Sequence, residues 1–592
     1  MLKSSLKSVP ASRIIAGILV GIAALLFFFG NVMIIMRAGI LTTPVYAGDE
    51  YGHWANARFF ASGLAREQFD PFLPSLHSYL YFFITRWLTL SPEGPAAMRL
   101  LNYLFIGITA ALVWGLARAL VSRPLALLAS GLVFSLGSTT WAAAVMPETM
   151  YTCIIVGVAV FMVRVWSPDR SPDSFVAGAM IGALMLVKPH GVAILLSTAL
   201  TIVAVPVLLH GRRGVVSSAV KNLVSLAGGA AVSIALLSSL AQGRLVISPM
   251  IFVGDYDRYL ADGGSTWAAL LNVARYFSVH LIVLLLFFAP AIIAAPPMVR
   301  VLIADNRVMP GTAVKLESLF RLIVFSIFAA LSVFAMVSVF THKVGAGNAF
   351  EANRIHGRYW CFLFPLLIVI TIAFFQFAKL GDEIRPKVSR WLERVAGLGW
   401  LSAILIFGVW VSAVFSLFPW DFPELFALYR PINPNWGTTA WVPYSFTIVM
   451  ALLSVCALAY LFRIPGRRLC YVVSLAITLI IGNLNTTGWQ LEIMPNMRPL
   501  VDAGQATTRI VGRQSEGLFV TPEYWGWPMY LLFQLPLRSV VAIKPTTAVL
   551  TDADLPTSAR WVVTASPYRV EFHYTIAVPF TSVTLYLRGS QP

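Results

Sequence analysis

The run Asp49-Glu50-Tyr51-Gly52-His53 places two adjacent carboxylates just beyond the first long apolar stretch of the chain. At a bilayer surface, apolar surroundings raise a carboxyl pKa and strengthen charge interactions, which suits a general base acting on a hydroxyl. The plain alternative is a solvated loop cap after the turn at Pro44 and Gly48. Three further groups carry charge where apolar sequence surrounds it. Glu148 follows Pro147 at the head of a span, where a helix dipole alone would favour it. Lys188 lies between Leu186-Val187 and Pro189, and a cation there costs on the order of 3 kcal/mol unless it meets an anion or snorkels. The third group is His342-Lys343, Glu351, Asn353-Arg354, His356 and Gly357-Arg358-Tyr359. Its guanidinium groups can hold phosphate oxygens in bidentate fashion, and Tyr359 can orient one of them or stack on a sugar; a loop anchored at lipid headgroups is the other reading.

The elements that must position these residues are membrane helices. Hydrophobic residues make up 58% of the 592 and charged residues only 12%, outside the balance of a soluble chain. The pattern predicts an all-α polytopic membrane domain over 1–487 and a small extracytoplasmic α/β domain over 488–592. Stretches of about 20 apolar residues give about thirteen crossings. They fall near 14–36, 98–120, 125–144, 148–166, 175–187, 191–209, 222–241, 272–294, 319–340, 359–378, 398–418, 441–462 and 469–487. The formal charge of +17 resides largely in alternating loops such as Arg212/Arg213/Lys221, Lys379–Arg394 and Arg463/Arg467/Arg468. That is the positive-inside signature, and it argues against nucleic acid as a partner.

Were Phe72–Leu90 a crossing, every later basic loop would face outward. It is therefore laid, with a helix over Trp54–Phe69, in a first outer loop (37–97) of two interfacial helices. In the tail, a helix over Arg498–Arg513 precedes strands at Gly517–Thr521, Ser539–Lys544, Arg560–Ala565, Glu571–Val578 and Thr581–Leu587, with Tyr524–Gln534 helical. Cys153, Cys361, Cys456 and Cys470 read as small core residues. The loop Asp255-Tyr256-Asp257-Arg258-Tyr259 with Asp262 lacks the Gly and terminal Glu of a calcium loop and reads as a mobile outer loop. Trp420, Trp436 and Trp441 read as an aromatic belt. No His/Cys cluster marks a metal site, although His53 three residues after Glu50 is ligand-like in type.

The acidic doublet after the first helix, the two interfacial helices, Pro147-Glu148, Lys188-Pro189 and Gly357-Arg358-Tyr359 together resemble the GT-C superfamily of integral-membrane glycosyltransferases. The branch of protein mannosyltransferases and lipid A aminoarabinose transferases is the most similar. The resemblance covers 14–487 in topology. It implies a polyprenyl-phosphate sugar as donor and a glycan, lipid or protein hydroxyl as acceptor. Asp49 is then the base with Glu50 beside it, Glu148 and His53 lie on the acceptor or sugar, and Lys188, Arg358, Arg354 and Tyr359 hold the donor phosphate. It implies inversion at the sugar and leaves a divalent cation open, since some members use one and others do not. The absence of recognisable eukaryotic sorting signals sets the expectation of a bacterial inner membrane, with the site and C-terminal domain on the periplasmic side. A flippase moving lipid-linked sugars without chemistry is the competing class; internal repeats and mid-span charges, which transporters favour, are not evident.

Overall fold

A computed structural model describes residues 11–37, 47–62, 78–91, 94–210, 215–242, 266–345, 349–417, 421, 423–428, 442, 444–512, 515–523, 528–532, 534–536, 538–565, 568–580 and 583–588. The loop with Asp255, Asp257 and Asp262, Trp420, Trp436 and Trp441, the residues Tyr524, Trp525 and Trp527, and 63–77 of the first outer loop lie outside the described residues.

The chain is a polytopic helical membrane protein with a small strand-containing C-terminal region. Helices α1 (Ala11–Arg37), α2 (Ala47–Ser62), α3 (Tyr79–Thr85), α4 (Gly94–Leu120), α5 (Arg123–Phe134), α6 (Glu148–Arg164), α7 (Ser171–Val187), α8 (Gly191–His210) and α9 (Val215–Gln242) occupy the first part. Then follow α10 (Thr266–Ala289), α11 (Ala295–Ile303), α12 (Pro310–Gly345), α13 (Leu363–Ile384), α14 (Pro386–Ile406), α15 (Ser445–Leu461) and α16 (Arg467–Val511). Each expected crossing overlies one of these helices, and nine helical spans among the described residues are long and apolar enough to cross a bilayer.

Helix ends depart from hydropathy where local chemistry intervenes. The expected span 125–144 stops as an α-helix at Phe134 and continues as a 3-10 turn over Gly137–Ala143; the run Gly137-Ser138-Thr139-Thr140 is poor in helix formers. The expected span from Tyr359 begins only at Leu363, because Gly357–Tyr359 forms a 3-10 turn. Pro290 lacks an N–H, and α10 kinks at Phe288 into a π-turn over Pro290–Ala294. Trp400 Nε1 donates to the Leu286 carbonyl at 2.8 Å and the Tyr471 hydroxyl donates to that of Phe287, which satisfies backbone the kink frees. The cysteines are free thiols, but Cys456 and Cys470 are paired in space, their Sγ atoms 3.3 Å apart across α15 and α16.

The chain forms two compact units, one of 1–35, 104–140 and 148–487, the other of 36–103, 141–147 and 488–592. Within the second, α2 packs on α3, on the 3-10 turn Leu88–Leu90 and on α17 (Pro528–Leu532). Every residue from Glu50 to Arg58 is buried, so α2 is enclosed on all sides, whereas an interfacial helix would keep one face open. Gly94 fits here because a Cβ would strike the Leu88 carbonyl and sit 2.8 Å from the Trp54 ring.

The sheet in this unit has the order β2-β1-β4-β7-β6, formed by β1 (Glu516–Thr521), β2 (Arg538–Ile543), β4 (Trp561–Ala565), β6 (Ile576–Pro579) and β7 (Val583–Leu587). β1 is parallel to β2 and β4, whereas β7 is antiparallel to β4 and β6. β3 (Val549–Leu550) and β5 (Arg569–Val570) form a separate parallel pair, and the expected strand over Glu571–Val578 is realised only from Ile576. Its apolar core includes Leu518, Val520, Leu550, Val562 and Phe572. The helix expected from Arg498 is not separate: α16 runs unbroken from Arg467 to Val511.

Candidate active site

Asp49 and Glu50 are not in a loop; they occupy the first turn of α2, where unsatisfied backbone N–H groups and the helix dipole favour negative charge. The two side chains have different surroundings. Glu50 is wholly buried and accepts hydrogen bonds at Oε2 from Arg99 at 2.7 Å and from the Val145 N–H at 2.9 Å. Asp49 retains partial exposure. Asn102 donates to the carbonyls of Ala144 and Met146, at 2.7 and 3.1 Å, fixing the backbone on either side of that Val145 amide. Glu50 is thereby locked, and the rigid first turn it anchors carries Asp49.

His53, expected toward acceptor or sugar, is 7% exposed, with its ring centroid 6.1 Å from Tyr81 and 5.9 Å from Phe82. One turn along from Asp49, it faces α3 and sits among aromatic rings, not at an open surface. Arg37, Arg58 and Arg99 are also buried in this unit, with the Arg58 guanidinium 5.5 Å from the Trp54 ring centroid.

The other unit brings four of the expected residues together. Lys188 Nζ, just past the end of α7, donates to Glu148 Oε1 at the start of α6 at 2.8 Å. The same ammonium lies 5.6 Å from the centroid of Tyr359, and the Arg358 guanidinium lies 5.2 Å from that ring. His190 stacks on Tyr359 with centroids 4.6 Å apart. Burial, then the Lys188 and Arg358 charges, holds His190 well below its ordinary pKa, so it is a neutral neighbour here. One buried tyrosine ring thus carries two cations and two imidazoles, those of His190 and His356, and Glu148 offsets one of the charges. Lys188 and Arg358 against Glu148 leave an excess of one positive charge beside this ring.

Arg354 has a different place. Its guanidinium makes a bidentate pair with Asp421 and reaches Glu351 Oε1 at 2.8 Å. With those carboxylates on its fork Arg354, expected as the reserve phosphate ligand, braces the loop that carries it. Backbone bonds reinforce the brace: the Ile355 N–H donates to the Ser416 carbonyl at 3.2 Å, and the Ser416 N–H to that of Asn353 at 2.7 Å. This ladder ties the segment leading to Arg358 to Ser416, just past the helical span Pro386–Val414.

Sequence reasoning missed Arg99, Asp421 and Glu424, all wholly buried. Arg99 had a signal, a cation inside an apolar span on the side that positive-inside logic leaves poor in charge. Asp421 and Glu424 stand in the apolar run Phe418–Phe426, where two carboxylates need partners. The partner positions are far away in sequence and carry no local signature. Burial, then the carboxylates of Glu424 and Glu148, pushes the Cys361 thiol well above its usual pKa. Among the described residues no three His, Cys, Asp or Glu side chains gather as a metal-ligand set.

Comparison with known proteins adds a family match. Residues 77–240 match the family model described as dolichyl-phosphate-mannose-protein mannosyltransferase. Solved structures with some likeness include ArnT from Cupriavidus metallidurans bound to undecaprenyl phosphate, at 14% identity and TM-score 0.48, covering 95% of this chain and 99% of that one. The Archaeoglobus fulgidus oligosaccharyltransferase in complex with Zn and sulfate follows at 12% identity and TM-score 0.34, covering 90% of this chain and 68% of that one. No curated protein sequence matches. The matched segment contains Arg99, Glu148, Lys188 and His190, and it leaves Asp49, Glu50, Arg354, Arg358 and Tyr359 outside. The chain is therefore similar, through residues 77–240, to the dolichyl-phosphate-mannose-protein mannosyltransferases, in keeping with its resemblance to the GT-C membrane glycosyltransferases.

Proposed function

We propose that the protein is an inverting glycosyltransferase that moves a sugar from a polyprenyl-phosphate donor to the hydroxyl of an envelope glycan, lipid or protein, at the periplasmic face of a bacterial inner membrane. Asp49 takes the proton of the acceptor hydroxyl as its oxygen bonds to the anomeric carbon. The bond from that carbon to the phosphate oxygen breaks, and polyprenyl phosphate leaves. One attack from the side opposite the leaving group gives one inversion. A carboxylate is a weak base for an alcohol, so most of the rate must come from orientation and from stabilising the departing phosphate. Lys188 and Arg358, 5.6 and 5.2 Å from the centroid of the Tyr359 ring, supply that stabilisation. Glu148 holds Lys188 in place, and it contacts the acceptor or sugar. Glu50, gripped by Arg99, acts through the turn that bears Asp49, and His53 packs behind that turn.

The observation that carries this reading is the Lys188–Glu148 pair beside Tyr359 and Arg358, half of it contributed by the segment similar to mannosyltransferases. Purified protein in lipid nanodiscs, given a panel of labelled polyprenyl-phosphate sugars, tests it. Arg358→Gln is expected to lower turnover by about 10²–10³, the usual effect of deleting one donor to a developing anion. Wild-type turnover in the variant, or no sugar release from any donor in the panel, would refute it.

A further inference from the structure

The end of the helical unit opposite to the Tyr359 cluster along α13 carries a charge arrangement that sugar transfer does not use. The five-residue elbow Phe462–Gly466 between α15 and α16 places Arg463 in the left-handed region at φ 56° and Gly466 at φ 82°. From this elbow three guanidinium groups converge on two carboxylates. Arg463 reaches Glu393 at 2.9 Å and Asp382 at 3.0 Å, and Arg467 reaches Glu393 at 2.6 Å. Arg468 spans both, at 2.7 Å to Asp382 and 2.8 Å to Glu393. Ser389 donates to Asp382 at 2.6 Å. Three cations on two anions leave an excess positive charge, set at the first residues of the long helix α16, whose dipole adds to it.

The first turns of α14 extend the excess. Lys387, Arg390 and Arg394 recur at helical spacing and are exposed. Beside them Trp391 is 63% exposed, and at the elbow Phe462 is 71% and Leu469 62% exposed. Bare aromatic and aliphatic side chains next to a cationic rim are the pattern of a boundary between acyl chains and headgroups. A phosphate at the exposed face of α14 would meet the donors of Lys387, Arg390 and Arg394, while its acyl chains would cover apolar side chains such as Trp391. Zwitterionic headgroups satisfy the rim less well, because their own cation opposes it.

We infer that this end of the unit is a binding site for an anionic phospholipid of the leaflet that bathes it, held by the exposed Lys387, Arg390 and Arg394 of α14, with the excess positive charge of the Arg463, Arg467 and Arg468 cluster behind them. This site is independent of the proposed transferase activity. The test uses the full chain in neutral detergent, with phosphatidylglycerol, phosphatidylcholine and inorganic phosphate as separate probes, read by native mass spectrometry and thermal unfolding. The expected result is retention of phosphatidylglycerol at least about tenfold above phosphatidylcholine, with no thermal shift from inorganic phosphate. The variant Lys387→Gln/Arg390→Gln/Arg394→Gln changes only exposed side chains and leaves the buried pairs intact; it should bind the anionic lipid on the order of a hundredfold more weakly. Equal retention of both lipids, an equal shift from inorganic phosphate, or undiminished binding by the triple variant would each overturn the site.

Discussion

Glu50 and Arg99 form an ion pair that water does not reach, and such pairs cost most when one partner is removed. Arg99→Met should lower stability by about 3–5 kcal/mol, because it removes the paired charge of a buried carboxylate, and the double variant Glu50→Leu/Arg99→Met should recover most of that loss. Thermal unfolding of the three proteins in one detergent measures it; a double variant no better than the single would mean that the charge is not the issue. His190 gives a second expectation at this scale. Its pKa lies well below 6.5 in the folded protein, through burial first and the Lys188 and Arg358 charges next. Above the unfolded value both states are neutral and nothing is lost. Below it only the unfolded chain takes up the proton, so stability should fall with pH below about 6.5, by up to about 1.4 kcal/mol per unit. His190→Gln should flatten that slope, as followed by unfolding from pH 7 to 5. Among these residues, Glu148 and Lys188 were legible as charges at the ends of apolar runs, and their pairing follows from each needing a counter-charge. The contacts of Arg354 and His53 were not legible, since each has a partner from distant sequence, Asp421 for one and the aromatic rings of α3 for the other.

At the scale of elements, α7 and α9 lie in contact through glycines. A Cβ on Gly178 would collide with the Leu226 carbonyl, one on Gly229 with that of Phe175, and one on Gly182 would stand 2.5 Å from that of Ala230. Backbones this close suit a membrane, where association rests on packing because lipid offers no hydrophobic drive. Gly178→Ala should therefore destabilise the protein by about 1–3 kcal/mol, whereas Gly107→Ala, whose Cβ would meet nothing within 4 Å, should be neutral or slightly stabilising. Thermal unfolding of the two variants side by side decides it, and equal behaviour would remove the close approach as a cause. Hydropathy located these helices because desolvation dominates in a bilayer. Their breaks escaped it: the stop at Phe134, the π-turn at Pro290 and the late start at Leu363 arise from hydrogen bonding and from turn-forming residues within apolar sequence. The same applies to α2, whose apolar face suggested an interface helix although neighbours from the C-terminal segment help enclose it.

The whole molecule is a many-helix membrane protein with a strand-bearing tail, and that much was written in its composition and in the alternation of basic loops. The tail's parallel strands β2, β1 and β4 and its antiparallel pair were legible as strands from their β-branched runs. Their order was not, because a crossover from β2 past β1 to β4 leaves no mark in the sequence. Assigning a reaction to this molecule depends on one group, the carboxylate of Asp49 in the first turn of α2. The direct measurement is sugar transfer by the purified chain in nanodiscs, from its preferred labelled polyprenyl-phosphate sugar to a hydroxyl acceptor, set beside Asp49→Asn. The account predicts an inverted glycosidic product from the wild type and a fall of about 10²–10⁴ in the variant, with donor binding retained. Equal rates in the two proteins, or passage of intact donor across a liposome with no glycosidic bond broken, would contradict it.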